Sequence, residues 1–317
     1  MATSTEPLLR LATRASRLAL WQATHVTQLL QSVAPDVRVE VVEVSTIGDR
    51  DRASRLAEMG GQGVFTKEVQ AVVLDGRADV AVHSLKDLPT ETADGLLLAG
   101  VPDRGPRWDV LVTRPGLSLQ ALDDVPSGAR VATGSLRRRA QLLHRRPDLV
   151  PVEVRGNVET RLRKLDDGEF DVLVLAEAGL VRLGLGDRVA CRLQPPAVYP
   201  AVGQAALGLE CRADDGLACK LLQRITHAST LAEVSAERAL LRTLRAGCHA
   251  PVGVLATTSA TGGLRLEGIV LSIDGRERLF AQTESMDLTP DDLGGTVATQ
   301  LLDSGAQRLL QSKAPSD

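Results

Sequence analysis

The chain has 317 residues, 44% of them hydrophobic and 24% charged, enough apolar material for a sizeable core divided among two or three domains. Aromatic residues make up only 2%, so the core is expected to consist mainly of Leu, Val and Ala, and platforms for stacking nucleic-acid bases are nearly absent. A formal net charge of −3 gives no global field for a polyanion, so anion binding has to come from local clusters of arginine.

The opening MATSTEPLLR has neither a basic nor an apolar leader pattern, and no apolar run approaches the roughly 18 residues of a membrane span. A cytoplasmic location with no membrane partner is expected. Cysteines stand at 191, 211, 219 and 248 without a CxxC pair, which predicts free thiols and no metal site.

In chain order, LLRLAT reads as a strand, SRLALWQATHVTQLLQS as an amphipathic helix and VRVEVVEV as a second strand. TKEVQAVVLDG and ADVAVHS follow after a polar loop. A second series starts near Asp109: DVLVTR, then ARVAT before SLRRRAQLLHRR, VPVEVR before NVETRLRKLDDG, and DVLVLA before EAGLVRLGL. Alternation of this kind predicts two α/β domains. From about Ala228 the character changes to a helix, STLAEVSAERALLRTLRA, and then three runs joined by TGG and DG turns, which predicts a small antiparallel meander. Thr289-Pro290 then opens a last helix, threonine at the N-cap and proline in the first turn.

In open α/β sheets ligands bind beyond the carboxyl ends of strands. After the predicted strands come, in turn, Arg14, Ser16 and Arg17; Ser84, Lys86 and Asp87; Ser135, Arg137 and Arg138; Arg155, with Arg161 further on; and Arg182. Taken alone, LRRRAQLLHRR reads as a solvated helix face. Repetition of cations at successive strand ends favours a cleft for a polyanionic small molecule, with Ser135 as an N-cap beside bidentate arginine donors.

Asp87 is a carboxylate among these cations. It reads either as a local cap or salt bridge, or as a group facing positive charge that develops in a substrate. Cys248, in RAGCHAPVG, reads either as a small buried hydrophobe or as a thiol projecting from a turn between a helix and a strand.

Together the motifs RLATRASRLALWQ, GGQGVFTKE, ADVAVHSLKDLPT, GSLRRRAQL, RGNVETRLRKL, LAEAGLVRLGL, PAVGQAALGLECR and AGCHAPVG resemble the porphobilinogen deaminase (hydroxymethylbilane synthase) family, in its order and approximate spacing. The resemblance covers almost the whole chain. It implies an α/β fold of two type II periplasmic-binding-protein-like domains and a smaller α+β domain. The implied boundaries are 1–104 with 204–226, then 105–203, then 227–317, the first domain being discontinuous.

The implied activity is a cytoplasmic, monomeric transferase that joins four porphobilinogen molecules head to tail into hydroxymethylbilane, releasing ammonia. It implies one dipyrromethane cofactor per chain, held by a thioether at Cys248, with no metal and no nucleic-acid partner. Asp87 is implied as the catalytic carboxylate. Lys86, Ser84, Ser135, Arg137, Arg138, Arg155 and Gly156 are implied on the cofactor, and Arg14, Ser16, Arg155, Arg161 and Arg182 on the substrate. Phe65 and Lys67 are implied in a loop over the site. Six pyrrole rings would carry about twelve carboxylates, a load that calls for many positioned cations. The chain departs from the family pattern at Glu58 and Gln62, where many relatives carry lysine, and at GPRWD (105–109), which replaces the more usual DPRD.

Overall fold

A computed structural model describes residues 7–44, 66–247, 250–260 and 262–311. The described elements are, in chain order, β1 (Leu8–Arg14), α1 (Arg17–Val33), β2 (Arg38–Val44), α2 (Lys67–Leu74), β3 (Val80–Ser84), β4 (Leu96–Gly100), β5 (Asp109–Thr113), β6 (Arg130–Ala132), α3 (Leu136–Arg145), β7 (Val150–Val152), α4 (Val158–Asp166), β8 (Val172–Ala176), α5 (Glu177–Arg182) and β9 (Cys191–Leu193). They continue with β10 (Leu207–Arg212), α6 (Gly216–Arg224), α7 (Ala228–Thr243), β11 (Val252–Thr258), β12 (Leu264–Leu271), β13 (Arg278–Ser285), α8 (Pro290–Asp303) and α9 (Ala306–Gln311). The chain divides into two compact units, Met1–Arg104 with Ala206–Leu231, and Gly105–Ala205 with Ala232–Asp317.

The first unit is built on a sheet of order β2-β1-β3-β10-β4. The strands β1, β2 and β3 are parallel, and β10 runs antiparallel between β3 and β4. Parallel strands place their carboxyl ends at one edge, so Arg14 at the end of β1 and Ser84 at the end of β3 share that edge. The helix α1 starts there because Ser16, in extended conformation, accepts the Ala19 N–H on its hydroxyl. The apolar face of α1, including Val26 and Leu30, packs with Leu9, Leu11, Val80, Leu207 and Leu209.

The second unit repeats this plan with the order β7-β6-β8-β5-β9, β6, β7 and β8 being parallel and β5 antiparallel. In both sheets a strand of opposite direction sits between the third and fifth positions. The same unit holds a three-stranded meander, β11-β12-β13, covered by α7 and α8 over an aliphatic core. Thr289 caps α8 by accepting the Asp292 N–H, with Pro290 in the first turn as its sequence predicts.

The cores are aliphatic. Phe170 is the largest of the fully buried side chains, and Leu, Val and Ala supply nearly all the rest. Among the described residues no helix is long and apolar enough to cross a membrane.

Candidate functional site

In the first unit one pocket collects the sequence-predicted Arg14, Ser16, Ser84 and Asp87. Each arrives from a different part of the shared edge: Arg14 ends β1, Ser16 caps α1, Ser84 ends β3, and Asp87 closes the 3-10 turn Leu85–Asp87. The turn is pinned to the sheet by Leu85 N–H, which donates to the Ala206 carbonyl at 3.0 Å, while the Leu85 side chain is buried. Asp87 is exposed and has no hydrogen bond or ion pair to a described residue, so its carboxylate is available to the pocket. Lys86 lies half-buried in the same turn, and Lys67 stands exposed at the start of α2.

Gln22 and His83 line this pocket too, and sequence reasoning passed them over. Gln22 is buried on α1 and donates from Nε2 to the Ser84 hydroxyl at 2.8 Å. Its signal was a polar residue four positions after Leu18, on a face that otherwise turns inward. His83 lies 3.1 Å through Nε2 from the buried Glu210 carboxylate of β10, which also accepts from Gln70 at 2.8 Å.

In the second unit the parallel strands β6, β7 and β8 bring Ser135, Arg155 and α5 to their common carboxyl edge. Ser135 caps α3, accepting the Arg138 N–H on its hydroxyl. Because β5 runs antiparallel, its first residue meets the last of β8, Asp109 opposite Ala176, and so Asp109 opens β5 at that same edge. The arginines of LRRRAQLLHRR are therefore not alike. Arg139 is exposed, but Arg137 and Arg138 are buried against Asp109. Arg138 donates Nε and Nη2 to Asp109 Oδ1 at 2.9 and 2.7 Å, and Arg137 donates Nη1 to Oδ2 at 2.6 Å. Burial alone would push the Asp109 carboxyl up, but the two guanidinium charges outweigh it and hold the group well below the usual carboxylate range. Burial also lowers the Arg137 guanidinium below its ordinary value, the Asp109 charge opposing that shift.

The other predicted cations are disposed separately. Arg155 is exposed and paired with Glu153 at 2.7 Å, and Arg161 donates from Nε to the Gly156 carbonyl at 2.8 Å. Gly156 sits at φ +114°, in the region that favours glycine, and a Cβ there would meet the Thr160 side chain at 2.9 Å. Arg182 reaches the Ala205 carbonyl at 2.6 Å, and burial pushes its guanidinium down to about 10. Asp109 is the group that sequence reasoning missed. A lone acid opening an otherwise apolar, buried strand requires a partner, and that was its signal.

Cys248 lies outside the described residues, as do Glu58, Gln62 and Phe65. The described cysteines, Cys191, Cys211 and Cys219, are free. Burial raises the thiol of Cys191, and burial together with the Cys219 contact pushes that of Cys211 up to about 12. Neither is a thiolate at neutral pH.

A family model described as "Porphobilinogen deaminase, dipyromethane cofactor binding domain" matches residues 9–220, and "Porphobilinogen deaminase, C-terminal domain" matches 231–303. The chain belongs to the porphobilinogen deaminase family. A porphobilinogen deaminase of Chromobacterium violaceum is 45% identical over 300 residues, covering 95% of this chain and 96% of its own. One from Desulforudis audaxviator is 48% identical over 298 residues, covering 94% and 95%. Among solved structures, the Bordetella pertussis BvgS VFT2 domain aligns at TM-score 0.44 and 18% identity, over 74% of this chain and 93% of its own. As a porphobilinogen deaminase the protein is an enzyme of tetrapyrrole biosynthesis with a dipyrromethane cofactor, forming hydroxymethylbilane from porphobilinogen.

Proposed function

We propose that Asp87 is the catalytic carboxylate of this hydroxymethylbilane synthase and that Cys248 is the attachment point of its dipyrromethane. The observation that carries the reading is the exposed Asp87 carboxylate, without a partner among the described residues, at a pocket lined by Arg14, Ser16 and Ser84. When bound, dipyrromethane supplies a terminal pyrrole whose free α-carbon is the nucleophile for the next porphobilinogen.

The chain's own residues supply binding, orientation and charge. Arg14, Ser16, Arg155, Arg161 and Arg182 receive the acetate and propionate of the incoming substrate. Lys86, Ser84, Ser135, Arg137, Arg138, Arg155 and Gly156 hold those of the cofactor. Phe65 and Lys67 are assigned to a loop over the site in this reading. As ammonia leaves, positive charge develops on the substrate ring, and Asp87 stabilises it through the pyrrole N–H. At about 4 Å and an effective dielectric of about 20, that attraction amounts to about 4 kcal/mol. Asp87 then assists removal of the proton that restores the aromatic ring.

A thioether at Cys248 fits this chemistry because a thiolate alkylates readily and the product survives repeated turnover. The fit of the cofactor to the chain rests on the basic carboxyl edge of the second sheet, where Arg137 keeps donors without a partner among the described residues. The reading includes a cytoplasmic monomer, without nucleic-acid or membrane partner, organised as 1–104 with 204–226, 105–203 and 227–317. An intact-mass measurement tests the anchor. The purified protein should exceed its polypeptide mass by two condensed pyrrole units, and Cys248→Ser should remove the increment together with the conversion of porphobilinogen. An active protein of bare polypeptide mass would overturn it.

A further inference from the structure

Two of the described cysteines stand together in the first unit. Cys211 is on β10 and Cys219 on α6, and their Sγ atoms lie 3.4 Å apart, close enough for one thiol to donate to the other. The contact is built locally. The chain leaves β10 at Arg212, turns, and starts α6 under the Asp215 cap, which accepts the Ala218 N–H at 3.0 Å and is held by Arg212 Nη2 at 2.9 Å. The helix is thereby laid back on the sheet, with Ala218 and Leu222 in the same aliphatic core as Cys211 and Cys219 packed at its margin.

The two thiols differ in access. Cys211 is fully buried, and burial together with the Cys219 contact pushes its thiol up to about 12. Cys219 is half-buried, so a small solute meets it first. Cys191, buried in the second unit, is the only described cysteine there. A disulfide bond is about 2.05 Å long, so sulfurs at 3.4 Å have about 1.4 Å to close, within reach of rotation about the two Cα–Cβ bonds.

We propose that Cys211 and Cys219 form a dithiol oxidation site, converted by a hydroperoxide into an intramolecular disulfide that staples α6 to β10. In the first step the Cys219 sulfur attacks one peroxide oxygen: an S–O bond forms, the O–O bond breaks, and the leaving oxygen takes the thiol proton away as water or an alcohol. In the second the Cys211 sulfur attacks the Cys219 sulfur: the S–S bond forms, the S–O bond breaks, and hydroxide leaves with the Cys211 proton as water. The sulfur pair loses two electrons and the peroxide gains them. A thiol as strongly protonated as Cys211 is a weak nucleophile, but the second step is intramolecular, between atoms already in contact. The staple is remote from the pocket of Asp87, because Cys211 pairs with Val80, and Ser84 stands four residues further on, ~13 Å along β3.

Peptide mapping of the holoenzyme tests this. Trypsin cuts after Arg212 and Lys220, so the two cysteines fall in separate peptides, 193–212 and 213–220, with Cys191 in a third, 189–192. Folded protein treated with hydrogen peroxide, then unfolded in an alkylating agent and digested, should yield the first two peptides joined, with the loss of two hydrogens. Dithiothreitol before alkylation should separate them, and Cys191 should stay alkylatable throughout. Cys219→Ser should consume porphobilinogen within about two-fold of the parent rate and leave Cys211 reduced under the same treatment. Cys219 carrying two or three oxygens beside an alkylated Cys211 would overturn the proposal, as would equal oxidation of Cys211 in Cys219→Ser or of Cys191 in the parent. The joined protein should keep the activity of the reduced one, and a loss that dithiothreitol restores would overturn the remoteness of the staple.

Discussion

Nη1 of Arg137 lies 2.6 Å from Oδ2 of Asp109, and 28 positions separate the two residues along the chain. What joins them is strand direction. Parallel β6 and β8 leave their carboxyl ends, and hence the start of α3, at the edge where antiparallel β5 begins. An acid at the first position of such a strand is delivered to the basic edge by topology alone. The first unit shows the contrasting case, an acid at the same kind of edge but on an exposed turn, where Asp87 remains unpaired among the described residues.

That contrast yields the first prediction. Asp87→Asn should lower kcat by about 100-fold or more, the usual scale for losing a group that stabilises transition-state charge or moves a proton. Its thermal midpoint should stay within about 1 °C of the parent, because an exposed carboxylate without partners adds little to stability. Initial rates of porphobilinogen consumption beside a melting curve check both. Near-normal turnover would remove Asp87 from the mechanism.

Much of this arrangement was legible in the sequence, and the exceptions share a cause. The helix starts at Ser16, Ser135 and Thr289 could be read locally, because an N-cap and its helix are neighbours in sequence. So could the strands whose carboxyl ends carry Arg14, Ser84 and Ser135. The strands β4, β9 and β10 were not read. LLLAG, CRL and LGLECR are short apolar runs without a period, and β10 pairs with β3, over a hundred positions earlier. The partners Asp109 for the arginines and Glu210 for His83 were hidden likewise, since each is set by strand order.

Glu210 offers a second prediction. Its carboxylate, 1% exposed, accepts from Gln70 and lies 3.1 Å from His83. Glu210→Ala would take the acceptor from the buried Gln70 amide and should destabilise the protein by about 1–3 kcal/mol. Urea unfolding would show the lower midpoint. A loss under about 1 kcal/mol would mean that the Gln70 amide does not depend on Glu210.

Close helix packing gives a third. A Cβ on Gly294 of α8 would lie 2.5 Å from both the Ala236 carbonyl oxygen and the Ala239 Cβ of α7. Neither atom is the end of a flexible side chain, so the helices must separate. Gly294→Ala should cost about 1–3 kcal/mol despite alanine's better helix propensity, whereas Gly295→Ala, with open space around its Cβ, should be neutral or stabilising. Comparing the two variants by denaturant unfolding isolates the packing from the propensity.

Asp109 and Asp79 predict how the protein responds to acid. Burial raises both carboxyls, but Arg137 and Arg138 overcome it at Asp109, and Arg10, with a smaller contribution from Arg212, overcomes it at Asp79. Both groups are left below their unfolded values. A carboxyl depressed in the folded state stays ionised there at a pH where the unfolded chain has already taken up a proton. The stabilisation is therefore fully present above the unfolded value of about 4 and is lost as pH falls toward the folded values. Unfolding free energy should be flat with respect to these two groups between about pH 5 and 8 and fall steadily below about pH 4. Asp79→Asn should weaken the parent at neutral pH, because Arg10 and Arg212 lose their partner, and should show a shallower decline in acid. Urea titrations at pH 7 and pH 3 measure both slopes. Parallel lines for the parent and Asp79→Asn would show that this carboxylate is not protonated across the acid transition.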